Sequence, residues 1–240
     1  NDTLNLKSIL NALVTSKFAY KDLVDLPKEH ELLDLLSFIK KKSTECVIYK
    51  DKNMYYLAFR GTNSFPDFVT DLQFHSSEFN DTRAHDGFVD AYNSIKEDVL
   101  KAIKEILSSD SSAIFFIVGH SLGGALANLA YYDLKYNMVN YELTNMNSVQ
   151  LVTFGAPKVF KRRNITSTHR SEFTSALRVT HSDDVVAHLP PDSLFLKKYE
   201  YVHLGQHLHI GVDDNKRPLT EHFLRSYINE FEKALNREVL

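Results

Sequence analysis

Gly119, Ser121 and Gly123 stand at Gly-x-Ser-x-Gly spacing, directly after the apolar run Ile114-Phe115-Phe116-Ile117-Val118 and directly before Gly124-Ala125-Leu126-Ala127-Asn128. In such a turn the serine takes a strained backbone conformation between a strand and a helix, and only glycines two before and two after let the chain pass close by. The hydroxyl is thereby raised to where a substrate can reach it, which is the start of nucleophilic acyl transfer. The bare three-residue pattern arises by chance in chains of this length; the β-rich run before it and the small residues after it make it specific.

A serine hydroxyl is a poor nucleophile at neutral pH, so it needs a base to take its proton and an acid to hold that base in one tautomer. When the chain order is serine, acid, histidine, the acids at hand are Asp183 and Asp184, just past a strand expected over Ala176–Thr180. Four later histidines, His203, His207, His209 and His222, compete for the base, and order and position alone leave all four open. His203, His207 and His209 also have ligand-like spacing, and His207 and His209 share a face if they lie on a strand. No carboxylate or cysteine accompanies them at motif spacing, so no metal is expected.

The elements that must carry these groups follow from periodicity. Ile9, Leu10, Leu13 and Val14 fall on one helical face, and Leu32, Leu35, Leu36 and Ile39 on another, which predicts two helices separated at Pro27. Cys46–Tyr49 and Met54–Phe59 read as two strands joined at Asp51-Lys52-Asn53, the second ending at Arg60-Gly61-Thr62. Helical spacing from Phe88 to Ile106 precedes the serine's strand, and the helix after the serine runs to about Tyr136. A strand over Ser148–Phe154 follows. A last helix carries Phe223, Leu224, Tyr227, Ile228, Phe231 and Leu235 as its apolar stripe, with Thr220 as N-cap and His222 in its first turn. Strands alternating with helices predict an α/β fold: a mostly parallel sheet covered on both faces, with the site at the carboxyl ends of its strands.

The 240 residues and near-average hydrophobic content suit one domain over 1–240 with one large core. A net charge of -3 with both signs mixed along the chain provides no basic stripe for nucleic acid and no polybasic membrane anchor. No apolar run approaches the length of a transmembrane span, so contact with lipid must be mainly apolar and peripheral. Cys46 is the one cysteine, which leaves no intrachain disulfide and suits a small buried hydrophobe. The chain begins at Asn1 without methionine; secretion is the expectation, with a cytoplasmic or membrane-peripheral location as the alternative.

Five motifs in order, Arg60-Gly61-Thr62, His85-Asp86-Gly87-Phe88, Gly119–Gly124, Val152–Pro157 and Thr180–Val186 with Leu189-Pro190-Pro191, resemble the class 3, or fungal-type, lipase family of the α/β-hydrolase superfamily. The resemblance runs over roughly residues 10 to 235. It implies Ser121 as nucleophile, Asp184 rather than Asp183 as acid, and His222 as base, while His203, in Tyr201-Val202-His203-Leu204-Gly205, matches a family element that is not catalytic. It also implies an oxyanion hole made by the N–H of Leu122 and by Thr62, with Asp71 orienting the threonine hydroxyl.

Ser64–Leu72 occupies the place of the family's lid, expected over about 63–76, with Phe65, Phe68, Val69 and Leu72 on one apolar face. Such a face can cover the serine in water and turn towards lipid at an interface. The resemblance therefore implies a serine hydrolase of lipid carboxylic esters, of triacylglycerol lipase type, needing no cofactor. Phospholipase A1, galactolipase and soluble-ester esterase are the same chemistry on other substrates, and a silent lipid-binding scaffold is the non-enzymatic alternative. Two departures stand out: many fungal members carry several cysteines where this chain has one, and Ala187 replaces the usual proline of the acid's loop.

Overall fold

The computed structural model describes residues 4–26, 29–30, 33–61, 67, 75–146, 148–182, 184–190, 201–211 and 224–238. The strands are β1 (Glu29–His30), β2 (Leu33–Lys41), β3 (Thr44–Asp51), β4 (Met54–Phe59), β5 (Ser76–Phe79), β6 (Thr82–His85), β7 (Ile114–His120), β8 (Ser148–Phe154), β9 (Phe160–Lys161), β10 (Leu177–His181), β11 (Tyr201–Val202) and β12 (Gln206–Ile210). Eight of them form one sheet in the order β1-β2-β3-β4-β7-β8-β10-β12. It is antiparallel from β1 to β4 and parallel from β4 to β12. The helix Asp86–Ser109 lies on the crossover from β4 to β7, and the helix Leu122–Tyr136 carries the chain from β7 to β8.

A strand covered on both faces must be apolar on both, and β7 is. Its Phe115 and Ile117 join the layer under the helices Asp86–Ser109 and Leu122–Tyr136, with Phe88, Ile95, Ile103, Ala125 and Leu129. Phe116 and Val118 point the other way, to Ala12 and Leu13 of the first helix (Leu6–Phe18) and to Tyr227 and Phe231 of the last (Leu224–Glu238). The alternation continues in β4, where Tyr55, Leu57 and Phe59 face the first layer and Tyr56 and Ala58 the second.

The second N-terminal helix expected from Leu32, Leu35, Leu36 and Ile39 is not formed over the described part of that stretch, where β2 (Leu33–Lys41) runs; Leu32 lies outside the described residues. The cause is a register irregularity between Leu35 and Ser37. An extra residue shifts the alternation, so Leu33, Leu35 and Phe38 face one core layer and Ile39 the other, a spacing that mimics a helical repeat. Periodicity in the sequence predicts no second sheet. The structure has one, antiparallel in the order β11-β9-β6-β5, built of strands two to four residues long that are too short to show a period.

Candidate active site

β7 ends at His120 and the next helix begins at Leu122, so Ser121 alone makes the turn. Its φ of 58° and ψ of -128° are conformations a residue with a Cβ adopts at a cost of about 1–3 kcal/mol, so the surroundings must impose them. They do so through its own backbone: its N–H donates to the Phe154 carbonyl at 3.0 Å, and its carbonyl accepts from Gly124 at 2.9 Å and Ala125 at 3.2 Å. The flanking glycines permit the turn. A Cβ on Gly119 would strike the backbone of Gly123, and one on Gly123 would strike the carbonyl of Phe59 in the neighbouring strand. Among the described residues the Ser121 Oγ is buried with no hydrogen-bond partner. Leu122 opens the helix, so its N–H belongs to the first turn, which lacks intrahelical acceptors and carries the positive end of the helix dipole.

Asp184 sits past the end of β10, 1% exposed, and caps the 3₁₀ turn Val185–His188. Both its oxygens are engaged. Oδ1 accepts from the Val186 N–H at 3.0 Å, and Oδ2 accepts from the Tyr227 hydroxyl at 2.6 Å. Tyr227 in turn accepts from the His181 N–H at 3.1 Å, so one phenol links the strand end to the carboxylate. Its ring packs against His120 at 5.9 Å and Phe154 at 6.2 Å between centroids, which ties the serine's strand and β8 to the same point.

Tyr227 was read from sequence only as part of the last helix's apolar stripe. A wholly buried tyrosine must find a partner for its hydroxyl, and a lone phenol in an otherwise apolar stripe is the signal that marks it as more than packing. Tyr20 was missed too. Its hydroxyl lies 2.7 Å from His120 Nδ1, and burial pushes its pKa up, so the phenol keeps its proton and is hydrogen-bonded to the ring. Gly61 passes directly over this pair: a Cβ there would hit the Tyr20 hydroxyl and come within 2.8 Å of the His120 carbonyl.

The other candidate histidines have different work. His203 Nε2 donates to the Ala187 carbonyl, pinning the turn that follows Asp184. Burial, with Arg178 nearby, lowers its pKa to about 3, so it is neutral at pH 7 with its proton on Nε2. His207 Nε2 and His209 Nδ1 lie 2.6 and 2.9 Å from the Thr180 hydroxyl, on one face of β12 as expected. Among the described residues no three histidine, cysteine, aspartate or glutamate side chains converge as metal ligands.

Ser121, Leu122 and Asp184 thus lie at the carboxyl ends of β7 and β10, separated only by β8. Thr62, Phe65, Phe68, Val69, Asp71, Leu72, Asp183 and His222 lie outside the described residues.

Residues 56–194, more than half of the chain, match the family described as Lipase (class 3). A lipase from Rhizopus niveus is 34% identical over 153 residues, covering 61% of this chain and 38% of that protein. A secreted mono- and diacylglycerol lipase A from Penicillium cyclopium is 29% identical over 165 residues, covering 66% of this chain and 48% of that protein. The chain therefore spans less than half the length of these curated relatives. A solved triacylglycerol lipase, whose catalytic centre is formed by a serine protease triad, superposes with a TM-score of 0.74 at 22% identity over 90% of this chain and 83% of that one. At that identity the likeness establishes the fold, and with the family match it follows that this chain is an α/β-hydrolase belonging to the class 3 lipase family.

Proposed function

We propose that the chain hydrolyses carboxylic esters of lipids, as a lipase of triacylglycerol type, with Ser121 as nucleophile, His222 as base and Asp184 as the acid that orients it. The observation that carries this reading is the combination at the elbow. A strained serine whose Oγ has no partner among the described residues stands at a helix N-terminus, one strand away from a buried carboxylate that accepts from Val186 and Tyr227.

In the reaction, His222 takes the Ser121 proton as Oγ attacks the ester carbonyl, giving a tetrahedral intermediate with its charge on the former carbonyl oxygen. The N–H of Leu122 and the backbone and hydroxyl of Thr62, oriented by Asp71, hold that oxyanion. His222 then protonates the leaving alcohol as the C–O bond breaks, leaving an acyl-enzyme. Water, deprotonated by His222, releases the acid and restores the serine. Asp184, fixed by Tyr227 and Val186, stabilises the imidazolium that forms twice per cycle.

Phe65, Phe68, Val69 and Leu72 form the lid's apolar face, which covers the site in water and turns to the lipid at an oil–water or membrane surface. Among the described residues no helix is long and apolar enough to cross a membrane. The relative from Penicillium cyclopium is named as secreted, which supports secretion here.

The test is hydrolysis of a short soluble ester and of a long-chain triacylglycerol, each taken across its solubility limit, by wild type and Ser121→Ala. A rate that jumps when an interface appears, and vanishes in Ser121→Ala, is expected. High activity on the soluble ester without a jump would replace the lipase reading by an esterase one. No Ser121-dependent activity on either would move a lipid-binding scaffold to the front.

A further inference from the structure

Behind the turn that carries Asp184 lies a cavity of about 420 Å³, with Lys158, Arg178, Thr180, His203, His207 and His209 in its walls. The strand register builds it. β10 and β12 run parallel with Arg178 opposite His207 and Thr180 opposite His209, so these four side chains share one face of the sheet. Leu177, Val179 and Ile210 take the other face and pack in the layer of the last helix.

The cavity has two cationic side chains in its wall. The Arg178 Nε is buried and, among the described residues, has no hydrogen-bond partner. A guanidinium has five N–H donors and no acceptor, and leaving one of them dry and unpaired is costly. Lys158 adds a second cation, 9% exposed. The neighbouring groups register this field: Arg178 and Lys158 both push His203 towards neutrality, and Arg178, His209 and His188 do the same to His207, in each case adding to the effect of burial. Among the described wall residues the one carboxylate is Asp184, and both its oxygens already accept from Val186 and Tyr227.

What fits such a place is an anion with several oxygens. A guanidinium fork matches carboxylate or phosphate oxygens two at a time, and here a second cation, Lys158, stands on another segment of the wall. A phosphate, with more oxygens and more charge than a carboxylate, suits two cations on separate segments. The volume lies within the range of small-molecule pockets and leaves room for a small organic group beside the phosphate.

We propose that this cavity binds a phosphate group, as the free ion or as a phosphomonoester headgroup, with Arg178 and Lys158 as its main contacts. Asp184 is part of its wall, so the site adjoins the ester chemistry, but phosphate binding does not depend on Ser121.

The test is calorimetric titration of the full chain carrying Ser121→Ala, at constant ionic strength, with inorganic phosphate and with dihexanoyl phosphatidic acid below its micelle concentration. Saturable phosphate binding is expected, weakened at least ten-fold by Arg178→Gln. His207→Glu provides the second variant: it sets a carboxylate opposite Arg178, so it should abolish phosphate binding while raising the melting temperature, which separates loss of the site from loss of the fold. Phosphatidic acid that binds at least ten-fold tighter than phosphate, and competes with it, identifies a lipid headgroup as the source; equal or weaker binding identifies the free ion. Absence of saturable phosphate binding, or binding undiminished in both variants, overturns the proposal.

Discussion

Replacing Tyr227 by phenylalanine keeps the ring against His120 and Phe154 and removes one oxygen, which makes two hydrogen bonds. The bond it donates to Asp184, at 2.6 Å, is charge-assisted and worth about 1.5–3 kcal/mol. Losing the bond it accepts leaves the His181 N–H without that partner in a buried place, a further cost of about 1–3 kcal/mol. Allowing for relaxation, the loss should be about 3 kcal/mol, which for a domain of this size lowers the melting temperature by about 6–12 °C. The same change removes one of the donors that fix the Asp184 carboxylate, so the base it orients is held less firmly. A ten- to hundred-fold fall in kcat with KM nearly unchanged is expected, roughly, measured at a temperature where the variant is fully folded. Calorimetry and steady-state hydrolysis of a soluble ester read the two effects separately. A melting temperature within about 1 °C of wild type, together with a kcat within about two-fold, would refute the view that this phenol links strand end and acid.

Gly123→Ala forces a Cβ into the Phe59 carbonyl, so the elbow must shift against its neighbouring strand; a cost of about 1–3 kcal/mol and near-complete loss of activity are expected in urea titrations and ester assays. Tyr20→Phe removes one hydrogen bond to His120 and should cost less than Tyr227→Phe, about 0.5–1.5 kcal/mol by the same titrations. His203 has a folded pKa of about 3 against an ordinary value near 6.5, so unfolding takes up a proton between these limits. Its contribution is complete above pH 6.5 and is lost as pH falls towards 3, by at most about 1.4 kcal/mol per pH unit. Urea melts between pH 7.5 and 5 should show this slope, and His203→Asn should flatten it.

The parts of the fold that were legible in the sequence are those whose burial is continuous. β7 is apolar on both faces and ends in a motif whose glycines have no alternative, so strand, elbow and helix could be placed together. The β3–β4 hairpin was legible for the same reason, with Lys52 at positive φ in its turn. β2 was misread because its irregularity at Leu35–Ser37 converts a period of two into the spacing of a helix, and its exposed edge positions carry no compensating pattern. At the site, Ser121 announces itself through local sequence, whereas the support of Asp184 comes from Tyr227, 43 residues further on. Nothing local to either residue specifies that contact. The clamp of His203 on Ala187 is hidden in the same way, since it joins a turn to a carbonyl rather than two motifs. His207 and His209 were correctly placed on one face, but only the register with β10 reveals that this face also presents Arg178.

In the proposed reaction Ser121 is activated by His222 under the control of Asp184. The most direct measurement is the rate of covalent labelling by a fluorophosphonate, with the modified residue located by mass spectrometry, in wild type, Ser121→Ala, Asp184→Asn, Asp183→Asn and His222→Gln. Labelling at Ser121 that is abolished in Ser121→Ala, slowed at least a hundred-fold or so in Asp184→Asn and His222→Gln, and unchanged in Asp183→Asn is the predicted result. Labelling at another residue, or wild-type rates in Asp184→Asn or His222→Gln, would contradict it.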